Sequence, residues 1–287
     1  MKNSEDSFRG SVSSHRTDTF GRSIAGSINT ICQNTKRAVA YIKHSIVGFQ
    51  CRGFDKVVMR YCSRLIGQRP GNADAYLFRG QVHYRRGEFD DAISDFSQVI
   101  NLRPGDVRAF MLRGEAYCSQ EKFDDAIFDF TQVVGLQPDN VAAYLSRSKA
   151  HLCKGDFDKA MDDTSEAIRL APENADPHIA CGIIHFHQEQ FGLAMMEYTT
   201  AIQLNPKSSK AYTNRGMAYY NERRFDLAIS DYTKAIWLNP NRSHVYTDRG
   251  YAYLFSSNFD MALADANKAL MLDPHNVAAY NLWTSPS

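Results

Sequence analysis

Two consecutive stretches of sequence decide the fold. Residues 209–242 are SKAYTNRGMAYYNERRFDLAISDYTKAIWLNPNR, and residues 243–276 are SHVYTDRGYAYLFSSNFDMALADANKALMLDPHN. Aligned without a gap, both have Tyr at the fourth position, Gly at the eighth, Phe at the seventeenth, Ala at the twentieth and Pro at the thirty-second. Agreement between positions 34 residues apart indicates an internal repeat.

The prolines show how far this repeat extends. Seven of the nine prolines stand 34 residues apart, at Pro70, Pro104, Pro138, Pro172, Pro206, Pro240 and Pro274. The twentieth position is alanine in six consecutive units, at Ala92, Ala126, Ala160, Ala194, Ala228 and Ala262. Six complete units therefore run from Ala73 to Asn276.

Each unit has the pattern of two helices joined by a short turn. The fourth, eighth and eleventh positions share one face of a first helix, and the seventeenth, twentieth and twenty-fourth share one face of a second. Each proline follows the second helix, where it prevents the helix from continuing. Good N-cap residues precede the first helices, at Asn72, Asp106, Asn140, Asn174, Ser208 and Asn276. These features predict an all-α fold of stacked units.

On these residues, the chain resembles the tetratricopeptide-repeat (TPR) family. The resemblance implies an α-solenoid, a right-handed superhelix of antiparallel helix pairs whose first helices line a concave groove. The predicted units are residues 73–106, 107–140, 141–174, 175–208, 209–242 and 243–276. Residues 51–72 resemble a degenerate half repeat, with Val57 where Ala is usual and one extra residue before Pro70. Residues 277–287 are expected to form a short C-terminal cap helix.

The groove is the binding surface that this resemblance implies. The second, fifth, sixth, ninth, twelfth and thirteenth positions of each unit are not needed for packing and are expected to face it. They form an apolar strip with interleaved polar residues such as Glu115, Lys210 and Asp248, which suits an amphipathic helix or an extended peptide of a partner protein. We expect the contacts to come from Phe78, Tyr84, Arg108, Leu112, Lys149, Ile183, Phe186, Asn214, Met217, Tyr220 and Tyr251.

A clamp for the C-terminal carboxylate of a chaperone, one known use of the family, is not expected. That clamp resembles a Lys and an Asn four residues apart on one first helix, with an Asn and further basic residues on the following ones. Lys210 and Asn214 are an isolated fragment of this pattern.

An arginine and an acid recur together in the units. The seventh position is Arg in five of six units, with Cys181 as the exception, and the twenty-third is always acidic. This spacing predicts a repeated Arg–carboxylate pair between helices. An anion-binding ladder of arginines is the alternative, and structural pairing is favoured.

One histidine-rich segment has the spacing of a metal site. His178, Cys181 and His185 stand at i, i+3 and i+7, so one helical face could offer three ligands to zinc. They occupy packing positions of the unit, however, which favours core residues and predicts no metal or cofactor. The sequence has no phosphate-binding Gly-rich loop, HExxH or G-x-S-x-G motif, and we expect no enzymatic activity.

The charge divides the chain into a basic head and an acidic body. Residues 1–70 have twelve Lys and Arg against four Asp and Glu, which leaves 21 basic against 28 acidic residues in the remainder. An acidic repeat array is not expected to bind nucleic acid. The six cysteines form no CxxC pair and no apolar run reaches 18 residues, so we expect a cytoplasmic protein without a membrane span.

The basic head has two predicted parts. Residues 1–22 are Ser/Thr-rich and expected to be disordered. Residues 23–50 have an amphipathic helical pattern that includes Ile24, Ile28 and Ile31, with Lys36 and Arg37 beside it. This helix could cap the array, dock on a second copy to give a homo-oligomer, or lie on an anionic membrane surface as a peripheral anchor.

The sequence therefore predicts a non-enzymatic TPR scaffold or adaptor that binds a segment of a partner protein in its groove. Two alternatives stay open at this point. One is a membrane-associated assembly factor anchored by residues 23–50. The other is a self-assembling structural protein in which the head of one molecule occupies the groove of another.

Overall fold

A computed structural model describes residues 52–284, with side chains from Asp55 onward. This range contains fourteen α-helices and no β-strand, which confirms the predicted all-α fold. The tail predicted for residues 1–22 and the helix predicted for residues 23–50 lie outside the described residues. Within the described range, no helix is long and apolar enough to span a membrane.

The helices follow one another in pairs of similar length. Residues 52–109 contain α1 (Arg52–Gln68), α2 (Ala73–Arg85), α3 (Phe89–Leu102) and the first residues of α4 (Val107–Ser119). Residues 110–284 contain the rest of α4, then α5 (Phe123–Leu136), α6 (Val141–Lys154), α7 (Phe157–Leu170), α8 (Ala175–His187), α9 (Phe191–Leu204), α10 (Ser209–Asn221), α11 (Phe225–Leu238), α12 (Ser243–Phe255), α13 (Phe259–Leu272) and α14 (Val277–Thr284). The unit boundaries stay a prediction.

Most first helices begin at a side-chain cap, whereas Arg242 before α12 makes no such hydrogen bond. Asn72, Asn140 and Ser208 each accept a hydrogen bond from the backbone N–H three residues later, at 3.2, 3.1 and 3.3 Å. These bonds satisfy donors that the first turn of a helix leaves without a partner, and they confirm three of the predicted N-caps. The turn from first to second helix passes through the left-handed region, at Gly87 and Gly155 for example.

In the part formed by residues 52–109, α1 packs on α2. Val58 and Cys62 of α1 form one buried cluster with Ala75, Phe78 and Val82 of α2. Burial raises the pKa of the Cys62 thiol to about 12, so the thiol stays protonated and unreactive.

In residues 110–284, the two helices of a pair approach closely at the eighth position of the unit. A Cβ added to Gly216 would lie 2.8 Å from Cε1 of Tyr232, the residue at the twenty-fourth position. Residues 141–174 differ at both places, because Ser148 faces Thr164 and their hydroxyl oxygens are 2.8 Å apart. An aromatic ring at the twenty-fourth position therefore leaves no room for a side chain at the eighth, whereas threonine there leaves room for serine.

The last helix pair fills this space in another way. Ala266 stands where four of the other five units have an aromatic ring, and Leu282 of α14 lies against Gly250 in its place. Ala262, Ala266 and Leu282 form one buried cluster, so α14 covers the end of α12 and α13.

Candidate protein-binding surface

The candidate surface in residues 110–284 is formed by α6, α8, α10 and α12. Each of these first helices contacts the next one along the chain as well as its own second helix. We call the side chains that they leave partly exposed beside one another the first-helix face: Lys149, Ile183, Phe186, Asn214, Met217, Tyr220, Asp248 and Tyr251.

The fifth position is buried in residues 175–208, 209–242 and 243–276, contrary to the prediction, whereas Met111 and Leu145 at the same position are half-buried. Ile179, Thr213 and Thr247 are all buried, and the Thr213 hydroxyl donates a hydrogen bond to the Ser209 carbonyl at 2.9 Å. The reason is that this position lies between neighbouring helices, where Ile179 packs with Ala194 and other small residues of its cluster.

Phe78 was also predicted incorrectly as a contact residue. Its side chain is 4% exposed and packs against Val58 and Cys62. Helix α1 occupies the face of α2 on which Phe78 lies, so the ring is core rather than binding surface. Tyr84, on the same helix, is half-buried with its ring edge-on to Phe89 at 5.7 Å between centroids.

The other predicted contact residues are accessible to different degrees. Arg108 and Lys149 are exposed, while Leu112, Ile183 and Phe186 are half-buried. The Phe186 ring meets Phe191 edge-on at 5.3 Å, which fixes its orientation.

Three of the predicted residues surround one cavity. Met217 and Tyr220 of α10 and Tyr251 of α12 line a space of about 180 Å³ together with Asn221, Tyr232 and Asp248. Tyr220 is held by the aromatic rings around it, since it meets Phe225 at 5.6 Å and Phe255 at 5.9 Å. The Tyr251 hydroxyl donates a hydrogen bond to the Ala278 carbonyl of α14 at 3.1 Å. These contacts hold the walls of the cavity in place.

Two polar groups on the first-helix face lack partners within the described residues. Burial raises the pKa of the Asp248 carboxyl to about 6, and its side chain has no hydrogen bond or ion pair. The amide nitrogen of Asn214 is buried and also lacks a hydrogen-bond partner. Both residues occupy the sixth position of their units, on consecutive first helices. Buried polar groups without partners are unusual in folded proteins.

Part of this cavity was not predicted from the sequence. Tyr232 stands at a packing position, and Asn221 was not distinguished from other polar residues at helix ends. Asp248 was expected to face the groove but was not selected as a contact residue. The sequence did contain a signal that distinguishes Asp248, because it is the one acidic residue among the sixth positions of the six units.

The predicted Arg–carboxylate pairs are present in five units. Arg215 donates from Nε and Nη2 to the two carboxylate oxygens of Asp231 at 2.7 and 2.9 Å. Its third nitrogen, Nη1, donates to the Thr199 hydroxyl of the preceding helix pair at 3.0 Å. The same bidentate geometry joins Arg79 to Asp95, Arg113 to Asp129, Arg147 to Asp163 and Arg249 to Asp265. These contacts confirm structural pairing.

Residues 175–208 replace this pair with another contact. Cys181 stands in the place of the arginine, and the acid Glu197 contacts Nδ1 of His178 at 2.7 Å. The Cys181 thiol lies 3.5 Å from the Met161 sulfur, and burial raises its pKa to about 12. Nδ1 of His185 contacts Gln190 at 2.7 Å. The three candidate zinc ligands therefore have separate partners, which supports their interpretation as packing residues.

A group of potential metal ligands lies elsewhere, in residues 52–109. Ligand atoms of His83, Glu88 and Asp91 lie within 4.8 Å of one another, and this group was not predicted from the sequence. His83 Nδ1 contacts Glu88 at 2.6 Å across the turn between α2 and α3. His185 and Gln190 make the equivalent contact in their unit, so the His83 contact belongs to the turn.

Comparison with known families decides the class of protein. Models of the tetratricopeptide repeat match residues 60–107, 79–130 and 111–175, and also residues 209–242 and 243–276. The chain belongs to the tetratricopeptide-repeat family. A comparison with the sequences of curated proteins gives no match.

Solved structures of TPR proteins are similar in fold. One is the Cut9–Hcn1 hetero-tetramer of APC/C, with a TM-score of 0.66 and 19% identity; the match covers 87% of this chain and 48% of the other. The chain thus spans about half the length of that relative. A TPR protein from Parabacteroides merdae gives a TM-score of 0.66 at 14% identity, covering 92% and 97% of the two chains. PilF of Pseudomonas aeruginosa gives 0.59 at 14% identity, covering 77% and 100%. As a TPR protein, the chain is a protein-interaction scaffold.

Proposed function

We propose that this TPR protein binds a helical or extended segment of a partner protein along the first-helix face. The observation that supports this most is the run of accessible apolar side chains on three consecutive first helices: Ile183 and Phe186, Met217 and Tyr220, then Tyr251. Met217 is 36% exposed although it lies in the middle of this run. Such a strip matches the regularly spaced apolar residues of an amphipathic segment.

Polar groups on the same face would orient the segment. The unpartnered amide of Asn214 can donate to a carbonyl of the bound chain, and exposed Lys149 can contact an acidic side chain. Rings already held by their neighbours lose little conformational entropy when a ligand binds, which favours Phe186 and Tyr220 as anchors. We retain Leu112 as a further contact toward the N-terminal end of this face, and Arg108 as a separate proposed contact within residues 52–109.

A peptide-display experiment tests this function. The full chain would be used to select peptides from a random library, and binding would be remeasured with Met217→Glu. We expect at least about a tenfold loss of affinity, because a carboxylate would replace apolar contact at the centre of the strip. Met196→Glu is the matched control, since Met196 is 66% exposed on the second helix α9. The proposal is wrong if the control weakens binding and Met217→Glu does not, with helicity unchanged in both.

A further inference from the structure

The cavity beside Met217 differs from the rest of the first-helix face in its chemistry. Tyrosine rings and a thioether form most of its lining, and Asp248 contributes a carboxylate that has no partner among the described residues. A desolvated carboxylate without a cation is costly, and a bound cation would remove that cost. The cavity is therefore complementary to a group that carries positive charge at the end of an apolar stem.

The neighbouring charges do not supply that cation. Arg249 follows Asp248 directly in sequence, but its guanidinium is engaged by Asp265 at 2.7 Å on the other side of α12. Arg215 of α10 is engaged by Asp231 in the same way. Helix α14, which packs on α12, contains no charged residue. The guanidinium groups of Arg215 and Arg249 thus lie between paired helices, away from the cavity.

The aromatic lining suits a cation as well. Tyr220, Tyr232 and Tyr251 line the same cavity as the carboxylate, and the faces of tyrosine rings attract ammonium and guanidinium groups. A contact between a cation and an aromatic ring is present elsewhere in the protein, where the Lys234 ammonium lies 4.2 Å from the centre of the Trp237 ring. The four-carbon or three-carbon stem of Lys or Arg would lie against Met217.

We propose that this cavity receives the side chain of a lysine or arginine of the bound partner segment, with Asp248 as its counter-ion. The inference rests on the proposed function and adds the chemistry of one ligand residue to it. Residues 71–287 contain 21 basic and 28 acidic residues, so the surroundings also favour a basic ligand. The occupant is assigned to a partner protein, and residues 1–51 of the chain itself are the competing source of basic side chains.

The experiment uses small probes, so that it does not depend on knowing the partner. N-acetyl-lysine amide and N-acetyl-arginine amide would be titrated into the full chain with ¹³C-labelled methionine methyl groups, and the Met217 signal followed. N-acetyl-norleucine amide is the matched neutral probe. We expect a saturable shift with at least one basic probe and little with norleucine amide. Asp248→Asn should weaken binding of the basic probe at least about tenfold, and Asp162→Asn, on exposed α7 surface, should not change it.

The pH dependence gives a second readout. Because the pKa of the Asp248 carboxyl is about 6, binding of the basic probe should weaken as the pH falls below that value and the charge is lost. Tyr220 and Tyr232 have pKa values raised by burial and stay neutral throughout this range. Equal binding at pH 5 and pH 8 would contradict the role of Asp248.

Other results would overturn the inference in distinguishable ways. Equal shifts with norleucine amide, or none with either basic probe, would show that the cavity does not select a cation. An Asp248 carboxyl that titrates below pH 4 before any probe is added would show that a basic residue of the chain already occupies the site. Display-selected peptides without Lys or Arg that still require Met217 would refute this inference and leave the proposed function standing.

Discussion

Acidic side chains have opposite surroundings in two regions of the molecule. One region is the interface between the two helices of a pair, which we call a seam, and the other is the first-helix face. In the seam between α10 and α11, Asp231 is buried and both of its oxygens accept hydrogen bonds from Arg215. On the first-helix face, Asp248 is half-buried and has no partner among the described residues. The seam acid holds two helices together, whereas the face acid costs stability. A polar group kept at such a cost is a mark of a binding site.

The largest expected effect is in the seam. Asp231→Ala should lower the free energy of unfolding by about 3–5 kcal/mol, because it leaves the Arg215 guanidinium without its partner in a mostly buried position. Glu166→Ala is the control, since its pair with Arg169 is on the surface and should contribute little to stability. Urea unfolding followed by circular dichroism compares the two. Similar losses in both variants would contradict the difference between seam and surface pairs.

The next effect has the opposite sign. Asp248→Asn should stabilise the free protein at pH 7 by up to about 3 kcal/mol, because it removes a charge that folding desolvates. The folded pKa is raised from 3.8 to about 6, so the folded state binds the proton more tightly than the unfolded state. Stability of the unsubstituted protein should thus rise as the pH falls from 7 toward 4, and the advantage of the variant should vanish there. Thermal unfolding at several pH values measures this difference. A destabilised variant at pH 7 would show that Asp248 has a structural partner.

A smaller effect comes from the close approach at the eighth position. Gly216→Ala should cost about 1–3 kcal/mol, since the new Cβ would lie 2.8 Å from a ring carbon of Tyr232 and force it to shift. Gly135→Ala is the matched control in α5, where a Cβ would meet no atom within 4 Å. That control should stabilise by about 0.5–1 kcal/mol. Urea unfolding of both variants checks the contrast, and a neutral Gly216→Ala would argue against close packing of Tyr232 on Gly216.

The repeat made the fold predictable in detail. Seven regularly spaced prolines, the invariant alanine and the N-cap residues each follow from the requirements of two stacked helices, so the all-α fold and the Arg–Asp pairs could be predicted. The exception at Cys181 was visible too. The contact between His178 and Glu197 that replaces the arginine pair could not be predicted, because it depends on where the two helices of that unit place their side chains.

The binding surface was less predictable. Exposure depends on which element covers a residue, and the packing of α1 over Phe78 was not apparent from a half repeat with one extra residue. Ile179, Thr213 and Thr247 at the fifth position were assigned to the groove because position alone does not show how closely neighbouring first helices approach. The environment of Asp248 involves side chains from three helices, and desolvation of this kind has no local sequence pattern.

One measurement tests the central claim most directly, namely that the first-helix face binds a protein segment. A display-selected peptide would be added to the full chain with ¹³C-labelled methionine methyl groups, and the signals of the exposed methionines compared. We predict that Met217 shifts while Met196, Met261 and Met271 of the second helices stay unchanged. Shifts confined to the second-helix methionines, with Met217 unchanged, would contradict the account.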